Sequence, residues 1–378
     1  MTLALTCGGW LPSLPCHIRE SRMDAPLLRF EAVRKPALGL LDIHLVVPRG
    51  GCTVLLGPPG AGQEGVLRLL AGLASPDQGR VLLDGADLDR QPPGWRGFGI
   101  FQPIDGMPAG RTAERLVTEP VLGLPGEQRA AHVARALTQL GLDGQEATRL
   151  GDLGPVPRRR LALARALAPQ PAVLLLEEPL AGLDHATRQR LALEWRALFR
   201  RIGLTTVLAT HEPAEAMLLA DHLVVLEAGE VVQQGTPQQV YDDPATGFVA
   251  GLLGENNRLP GTVLALDGDE CQVRLDCGPE LWARRGDAAG PGSRCIVAIR
   301  PERVAVAAMT AEEMGEGALE AALRDAIFLG DHVRLLIELG RGGTLVARRP
   351  AGSRVPRVGG PASVAWDPYA AFAFRALR

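Results

Sequence analysis

Short apolar runs alternate with longer amphipathic stretches between residues 27 and 245. The runs Thr53–Leu56, Ala172–Leu176 and Thr205–Thr210 have the length and composition of buried strands. The stretch Val66–Leu73 is rich in leucine and residues 161–168 mix Leu with Ala, so both predict helices. Strands that alternate with helices indicate an α/β fold with a largely parallel sheet and helices on its faces.

Residues 103–150 interrupt this alternation. Within them, Glu127–Leu142 carries apolar residues at helical spacing, which predicts an amphipathic helix. These apolar residues are Val133, Ala136, Leu137, Leu140 and Leu142. Ordinary core packing accounts for such a stripe, and so does a subdomain that docks on a partner, since a docking subdomain also needs a core.

Beyond residue 245 the pattern changes to short, valine-rich runs with alternating polarity, separated by Gly and Asp. Five of them predict strands of a small all-β barrel: Val263–Leu266, Cys271–Leu275, Cys295–Ile299, Val333–Ile337 and Thr344–Ala347. We therefore expect a disordered extension over residues 1–26, an α/β domain over 27–245 with a helical part at about 103–150, and a β domain over 246–378.

Composition narrows the possible functions. At 378 residues the chain is long enough for two domains. Its apolar runs are all shorter than the roughly 18 to 20 residues that span a bilayer, so we expect a soluble protein that meets a membrane only through a partner. The formal net charge of -3 gives no sign of a surface that binds nucleic acid. The six cysteines have no zinc-type spacing, which favours reduced thiols.

The first 22 residues have an apolar opening without a basic segment before it, which is a poor match to a signal peptide. Met23 looks like the natural start of the first strand. We expect the extension to be a disordered tail or the product of an early start codon, with a targeting role as the alternative.

A glycine-rich loop follows the first buried run. It reads Gly57, Pro58, Pro59, Gly60, Ala61, Gly62 and is followed by Gln63, Glu64 and Gly65. Strand, glycine loop and helix in this order make a phosphate cradle, in which backbone N–H groups and the helix N-terminus face the phosphates.

Two side chains that normally complete such a loop are absent. A lysine reaches the phosphates and a Ser or Thr binds Mg²⁺ in the complete motif, whereas this chain has Gln63 and Glu64 at those places. One change removes a positive charge and the other adds a negative one. Lys35 is the only lysine in the chain, so no nearby lysine replaces the missing one. We expect at most weak binding of ATP with Mg²⁺, although Glu64 also suits the first turn of its helix.

Polar residues with candidate chemistry follow other apolar runs. Glu177 and Glu178 close the Ala172–Leu176 strand, Asp184 comes shortly after, His211 follows Thr205–Thr210, and Gln102 follows Phe98–Phe101. An isolated pair of glutamates is more often a solvated strand end, and a single histidine is more often structural. Their position after buried strands favours a catalytic site.

Taken in order, these motifs resemble the ATPase subunit of an ATP-binding cassette transporter, over nearly all of residues 27–378. The resemblance implies a P-loop NTPase fold, with Glu178 as the base that polarises water, His211 as the switch for the γ-phosphate, Gln102 as the Q-loop residue and Asp184 in the D-loop. It also implies that Glu177, in the place of an aspartate, orders Mg²⁺ together with Gln102.

The signature segment of that family departs from its usual form here. In place of Leu-Ser-Gly-Gly-Gln the chain reads Leu153, Gly154, Pro155, Val156, Pro157. The family uses this segment to hold the γ-phosphate of the opposite subunit, with a serine hydroxyl and backbone N–H groups. Proline carries no N–H, so both halves of each composite site in a homodimer are altered, and a heterodimer with a complete subunit keeps one altered half in each site.

The C-terminal domain is similar to the accessory, TOBE-type domain of importer ATPases, on the residues Ile299–Val304, Leu329–His332 and Val364–Pro368. The nearest subgroup is the polyamine type, and iron, sulfate and sugar importers share much of the pattern. The resemblance implies membrane permease subunits as partners, a homodimer or heterodimer of cassettes, an indirect periplasmic binding protein, and a place on the cytoplasmic face of the membrane.

Three functions stay open. The first is an importer ATPase subunit with impaired hydrolysis, and the second is a non-catalytic scaffold or regulator of a permease. The third is a soluble cassette protein that acts on nucleic acid or ribosomes. The single cassette, the accessory domain and the lack of basic patches argue against the third function.

Overall fold

The computed structural model describes residues 27–308 and 318–376, so the expectations for residues 1–26 lie outside the described part. The twenty strands of the described residues are β1 Leu28–Lys35, β2 Leu40–Val47, β3 Cys52–Leu56, β4 Gln78–Leu83, β5 Ala86–Asp87, β6 Phe98–Ile100, β7 Val173–Glu177, β8 Thr205–Thr210, β9 His222–Glu227, β10 Glu230–Gly235, β11 Asn257–Asp267, β12 Glu270–Leu275, β13 Glu280–Arg285, β14 Arg294–Ile299, β15 Ala305–Ala307, β16 Leu319–Phe328, β17 His332–Leu339, β18 Gly343–Pro350, β19 Pro361–Ala365 and β20 Ala371–Arg375. The eight α-helices of the described residues are α1 Gln63–Ala71, α2 Ala113–Thr118, α3 Gly126–Gln139, α4 Pro155–Leu167, α5 His185–Ile202, α6 Pro213–Leu219, α7 Pro237–Asp242 and α8 Gly247–Leu252.

The chain divides into two compact units whose segments interleave in sequence. The first holds the described residues up to Thr53 together with Gly65–Leu183 and Glu194–Leu208. The second holds Val54–Glu64, Asp184–Leu193 and the residues from Ala209 onward. The domain boundary that the sequence places near residue 245 stays a prediction.

The first unit combines antiparallel and parallel strand pairs with a group of helices. Strand β1 pairs antiparallel with both β2 and β4, and β6 lies parallel to β7. Helices α2, α3 and α4 pack against one another. The side chain of Trp195, 1% exposed, makes an edge contact with Phe101 at 5.9 Å between ring centroids, which anchors α5 beside the end of β6.

The amphipathic helix predicted at Glu127–Leu142 is confirmed as α3, with Val133, Ala136 and Leu137 buried along one side. The other two apolar residues of the stripe, Leu140 and Leu142, are also buried but lie beyond the last helical residue. Gly141 between them has φ 64°, a left-handed conformation that ends a helix without strain only at glycine.

Beyond the antiparallel pair β9 and β10, the second unit contains two further β structures. Strands β11, β12, β13, β20 and β14, in that order, form a closed barrel. Strands β15, β19, β16, β17 and β18 form a separate five-stranded sheet. All five β runs predicted from the sequence are strands, but Val333–Ile337 and Thr344–Ala347 belong to the separate sheet and not to the barrel. Alternating polarity identifies a strand with one buried face and carries no information on which sheet that face covers.

One continuous apolar core fills the barrel and the five-stranded sheet, with members such as Val263, Val297, Leu323 and Leu335. The buried side chain of Asn257 ties the two together. Its amide donates to the Val346 carbonyl at 2.8 Å, and its oxygen accepts from the Val346 N–H at 2.6 Å. Among the described residues no helix is both long and apolar enough to cross a membrane.

Candidate nucleotide site

The glycine loop adopts the backbone geometry that a phosphate cradle requires. It leaves the fully buried strand β3 at Gly57 and enters helix α1 at Gln63. Gly60 and Gly62 have φ of 82° and 111°, which residues with a Cβ rarely adopt. A Cβ on Gly57 would lie 2.5 Å from the Leu226 carbonyl oxygen, so only glycine fits there. The sequence order of strand, loop and helix is therefore confirmed as a local structure.

The side chain of Gln63 turns back into this loop. It is 7% exposed, and its Nε2 donates to the Gly57 carbonyl at 2.6 Å and to the Pro58 carbonyl at 3.2 Å. These bonds satisfy the amide with groups of the loop itself. A neutral amide thus lies buried where the complete motif has a lysine.

Backbone donors for a phosphate are reduced at three residues of the loop. Pro58 and Pro59 have no N–H, and the Ala61 N–H already donates to the Pro58 carbonyl at 3.1 Å. Glu64, on the first turn of α1, is exposed. The loop fits a phosphate in its backbone shape and glycine conformations, whereas its side chains supply no cation.

In the first unit, Gln102 and the two glutamates lie at the same edge of a strand pair. Strands β6 and β7 run parallel, with Ile100 opposite Leu175, and the Phe101 N–H donates to the Leu175 carbonyl at 2.8 Å. The C-terminal ends of β6 and β7, and the residues that follow them, therefore lie at the same edge of the strand pair. The structure brings Gln102, Glu177 and Glu178 to a common cleft of about 440 Å³.

This cleft has a mixed lining. Besides the three polar residues, its walls include the apolar side chains of Leu73 and Ile100 and the arginines Arg68 and Arg159. Arg159 is held by Asp105 at 3.1 Å and by the Ala181 carbonyl at 2.9 Å. The Gln102 carbonyl oxygen accepts from Arg165 at 3.4 Å, which orients its amide.

Glu178 has an unusual backbone. Its φ of 41° lies in the left-handed region, which costs a residue with a Cβ on the order of 1 kcal/mol. Glu177 ends β7 with an exposed side chain, while Glu178 is half-buried. The turn at Glu178 takes the chain out of the strand, so the two successive glutamates have different environments.

Asp184, in the second unit, caps a helix. Its carboxylate accepts from the Thr187 N–H at 3.0 Å at the start of α5. Hydrogen bonds from the Thr187 backbone and side chain lower the pKa of Asp184. The sequence predicts a nucleotide-site role for this residue, and its visible contacts are those of an N-cap.

His211, also in the second unit, directly follows β8, as the sequence predicts. The His211 side chain is 47% exposed, and its Nε2 lies 3.9 Å from the Glu212 carboxylate. That carboxylate also forms an ion pair with Arg188 at 3.2 Å. Beneath it, the hydroxyl of Thr210 donates to the buried carboxylate of Glu215 at 2.9 Å. This buried bond, which the sequence analysis missed, fixes the turn between β8 and α6.

The signature segment forms the start of α4. Gly154 is the N-cap, Pro155 is the first helical residue and Pro157 the third. A helix ordinarily offers about four unpaired N–H groups at its N-terminus, and two of them are absent here because proline has none. The Arg158 N–H already donates to the Gly154 carbonyl at 3.1 Å. This helix end is therefore poor in donors for an anion.

The structure also shows a residue that the sequence analysis missed. Arg96 is 5% exposed and donates to the carbonyls of Leu69 and Leu70, at 2.6 Å and 2.9 Å, at the C-terminal end of α1. A cation there satisfies carbonyls that a helix end leaves without partners. Its only sequence signal is an arginine shortly before β6, which motif analysis does not single out.

No cluster of three or more His, Cys, Asp or Glu side chains arranged to hold a metal occurs in residues 27–308 and 318–376. The roles of Glu177 and Gln102 toward Mg²⁺, and of Glu178 and His211 toward water and the γ-phosphate, stay predictions.

Comparison with protein families gives two matches. Residues 40–181 match the model described as ABC transporter, and residues 297–374 match the TOBE domain. The chain is 32% identical over 315 residues to the Fe(3+) ions import ATP-binding protein FbpC 1 of Rhizobium meliloti, covering 83% of this chain and 87% of the relative. It is 34% identical over 305 residues to the spermidine/putrescine import ATP-binding protein PotA 1 of Pseudomonas aeruginosa, covering 79% and 81%.

Solved structures agree with the fold. The cbiO1 protein of Clostridium perfringens, part of the ABC transporter complex cbiONQ, matches with a TM-score of 0.53 and 26% identity over 57% of this chain and 90% of that one. A nucleotide-free ATP-binding cassette from an ABC transporter matches with a TM-score of 0.53 and 20% identity, over 61% and 100%. On these matches, and on the loop, strand and barrel geometry described above, the chain belongs to the ATP-binding subunits of ABC transporters that carry a C-terminal TOBE domain.

Proposed function

We propose that this chain is the energy-coupling subunit of an importer for a polyamine-like substrate, and that its own site binds MgATP weakly and hydrolyses it poorly. One observation carries the proposal: Gln63 lies buried in the glycine loop, bonded to the loop's own carbonyls, where the reaction needs a cation. Phosphoryl transfer depends on positive groups that neutralise charge on the transferred phosphate.

The N-terminus of α4 supports the same conclusion from the other half of the composite site. With Pro155 and Pro157 in its first turn, this helix end gives a phosphate fewer N–H donors than an ordinary helix. A second copy of the chain would therefore bring a weakened signature to each site, and a heterodimer would repair only one half.

Other parts of the machinery are retained. Glu178 follows the buried strand β7 and lines a cleft with Gln102, and His211 follows β8. Glu178 as general base and His211 as γ-phosphate switch are part of the proposal. A site with its base and switch intact and its phosphate contacts weakened predicts slow turnover.

The experiment that tests this proposal is a stepwise repair, measured by phosphate release with the purified chain. The P-loop pair Gln63→Lys with Glu64→Thr is the first step, and we expect it to restore MgATP binding with little hydrolysis. The second step restores the signature with four further changes. These are Gly154→Ser, Pro155→Gly, Val156→Gly and Pro157→Gln.

We expect the combined variant to release phosphate at least about tenfold faster than the P-loop pair alone, since each lost transition-state contact of this kind costs at least that much. Glu178→Gln in the combined background is the matched control and should abolish the gain. Turnover typical of the family from the P-loop pair alone would contradict the role given to Pro155 and Pro157. If the combined variant binds ATP without hydrolysing it, Glu177→Asp tests whether the longer carboxylate misplaces Mg²⁺.

The importer role and its substrate rest on the relatives. Proteins with 31–34% identity to this chain are named for Fe(3+) import and for spermidine/putrescine import. We propose membrane permease subunits and a second cassette subunit as partners, a periplasmic binding protein as an indirect partner, and the cytoplasmic face of the membrane as the location. Uptake of labelled spermidine and of labelled Fe³⁺ in cells with and without the chain separates the two substrates.

A second candidate function is a non-catalytic scaffold or regulator of the permease, favoured by the loss of phosphate contacts at both Gln63 and the α4 N-terminus. Complementation distinguishes it from the first. Cells that carry Glu178→Gln in place of the unmodified chain should lose uptake if the subunit hydrolyses ATP. Equal uptake with both chains would establish the scaffold and refute the energy-coupling role.

A further inference from the structure

The second unit contains a cavity of about 440 Å³ between the end of α7 and the barrel. One wall comes from Tyr241 and Asp242 at the end of α7. The opposite wall comes from β14, from the turn that follows it and from β20. A volume of this size, lined by apolar and aromatic side chains beside several charged ones, lies in the range of sites for small organic ligands.

Arg300 is the outstanding polar group of this cavity. The residue is 7% exposed, and its guanidinium stacks on the ring of Tyr241 at 4.1 Å from the centroid. Neither terminal nitrogen donates a hydrogen bond to a residue that the structure describes. Gly254 makes room for the guanidinium, since a Cβ there would lie 2.9 Å from Nη1. A buried cation with unused donors is costly unless an acceptor meets it.

The three carboxylates of the lining each have a partner. Asp242 accepts from Arg303 at 3.1 Å, and Glu302 accepts from the Tyr241 hydroxyl at 2.5 Å. Asp367 accepts from the Tyr369 N–H at 2.9 Å. Each carboxylate of the cavity therefore accepts at least one hydrogen bond, whereas the terminal nitrogens of Arg300 donate none to a described residue.

Burial lowers the pKa of the Arg300 guanidinium, and the charges of Tyr241, Glu302 and Asp242 act in the opposite direction. The nearby carboxylates balance part of the buried charge without bonding to it. Both terminal nitrogens are covered by protein atoms, so an acceptor gains hydrogen bonds that these residues do not make once the guanidinium turns toward it.

Apart from Arg303 and Asn256, the remaining lining is apolar and aromatic. The rings of Phe372 and Phe374 stack at 5.9 Å between centroids with an interplanar angle of 5°, and Ala250 and Ala298 complete that side. Tyr369, 66% exposed, stands at the mouth. A ligand for this cavity needs an acidic head for Arg300 and a flat or aliphatic body for these rings.

We propose that this cavity binds a small organic carboxylate. Arg300 would hold the carboxylate through a bidentate hydrogen bond, and the apolar part of the ligand would pack against Phe372 and Phe374. A guanidinium presents two parallel N–H groups that match the two oxygens of a carboxylate. Because the cavity is walled by both α7 and the barrel, a bound ligand would contact both. The site goes beyond the proposed function, and its test uses no nucleotide.

The test is calorimetric titration and thermal shift of the purified chain with benzoate, benzamide, benzylamine and inorganic phosphate. Benzoate should bind and raise the melting temperature, whereas the neutral amide and the cationic amine of the same body should bind at least about tenfold more weakly, because only the carboxylate accepts a charge-assisted bidentate pair. Arg300→Met should weaken benzoate binding by at least about tenfold as well. Arg294→Gln is the matched control, at the start of β14 and paired with Asp276 outside the cavity.

If Arg300→Met does not fold, Ala370→Trp tests the same site from its mouth and should exclude benzoate without altering a charge. Unchanged benzoate binding in a folded Arg300→Met chain would overturn the proposal, and so would equal binding of benzylamine. Binding of phosphate but not benzoate would overturn the assignment to an organic carboxylate. Failure of benzoate to bind the unmodified chain would refute the site, whatever the outcome of the nucleotide experiments.

Discussion

The double replacement Gln63→Lys with Glu64→Thr should lower the dissociation constant of MgATP, and the geometry of the loop gives the size of the effect. The Gln63 amide lies 2.6 Å from the Gly57 carbonyl oxygen, inside the loop that would surround a β-phosphate. A lysine ammonium in the same region would stand about 4 Å from a phosphate charge. At an effective dielectric constant near 20, one such pair contributes about 4 kcal/mol.

Two further effects adjust this number. Pro59 and Gly60 in the loop are exposed, so solvent screens part of the attraction. Glu64 is exposed as well, and removing its negative charge adds less than the lysine does. We expect a net gain of about 3 kcal/mol in the binding free energy of MgATP, which lowers the dissociation constant by about two orders of magnitude.

Isothermal titration with MgATP measures the effect in the unmodified chain, in the single variants and in Gln63→Lys with Glu64→Thr. Gln63→Met is the matched control, because it frees the Gly57 and Pro58 carbonyls without adding charge. If Met tightens binding as much as Lys, the buried amide and not the missing charge weakens the site. A dissociation constant in the low micromolar range for the unmodified chain would refute the electrostatic reasoning. The gain should also shrink as salt rises, as expected for a charge effect.

Three further predictions concern stability. A chain that starts at Met23 should melt at an unchanged temperature, because the cassette pattern begins near Leu27, and a drop of several degrees would contradict this. Asp184→Ala should lower the melting temperature at pH 7 by removing the cap of α5, whereas Asp184→Asn, which still accepts a hydrogen bond but carries no charge, should lower it less. Because the pKa of Asp184 is lowered in the fold, its contribution is present above the unfolded value near 3.9 and should fade as pH falls below it. Arg96→Met should cost about 3 kcal/mol in urea unfolding, since the Leu69 and Leu70 carbonyls lose a charged donor, and a loss below 1 kcal/mol would show that water replaces it.

The sequence predicts local elements of this fold well. The run Thr205–Thr210 is β8 to the residue, and the glycine loop lies between β3 and α1 as its composition requires. These features depend on residues close together in sequence, whose secondary-structure propensities and allowed φ angles set the local structure. The pairing of strands that are far apart in sequence is not determined in this way. Alternation placed Val333–Ile337 in a barrel, and the strand pairs instead with β16 and β18.

Part of the candidate site was predictable from the sequence and part was not. Motif order predicted that Gln102, Glu177 and Glu178 follow buried strands, and the parallel register of β6 and β7 brings all three to one cleft. The contact of Gln63 with the Gly57 and Pro58 carbonyls was not predictable, because it depends on a side-chain rotamer and on the turn of the loop. Arg300 entered the sequence prediction only within Ile299–Val304, because no motif records that its terminal nitrogens find no hydrogen-bond partner among the described residues.

The closure of the barrel has a consequence for how the second unit acquires its fold. Strand β20 completes the ring by pairing parallel with β13 and antiparallel with β14, yet β15–β19 come between β14 and β20 in the chain. The five-stranded sheet is thus an insertion within the barrel, and until it is traversed β13 and β14 present unpaired edges. Exposed edges of this kind are prone to join other chains, and pairing across long sequence distances is slow. Slow, aggregation-sensitive refolding should therefore follow from topology alone, and a fragment that ends at β14 should form no barrel.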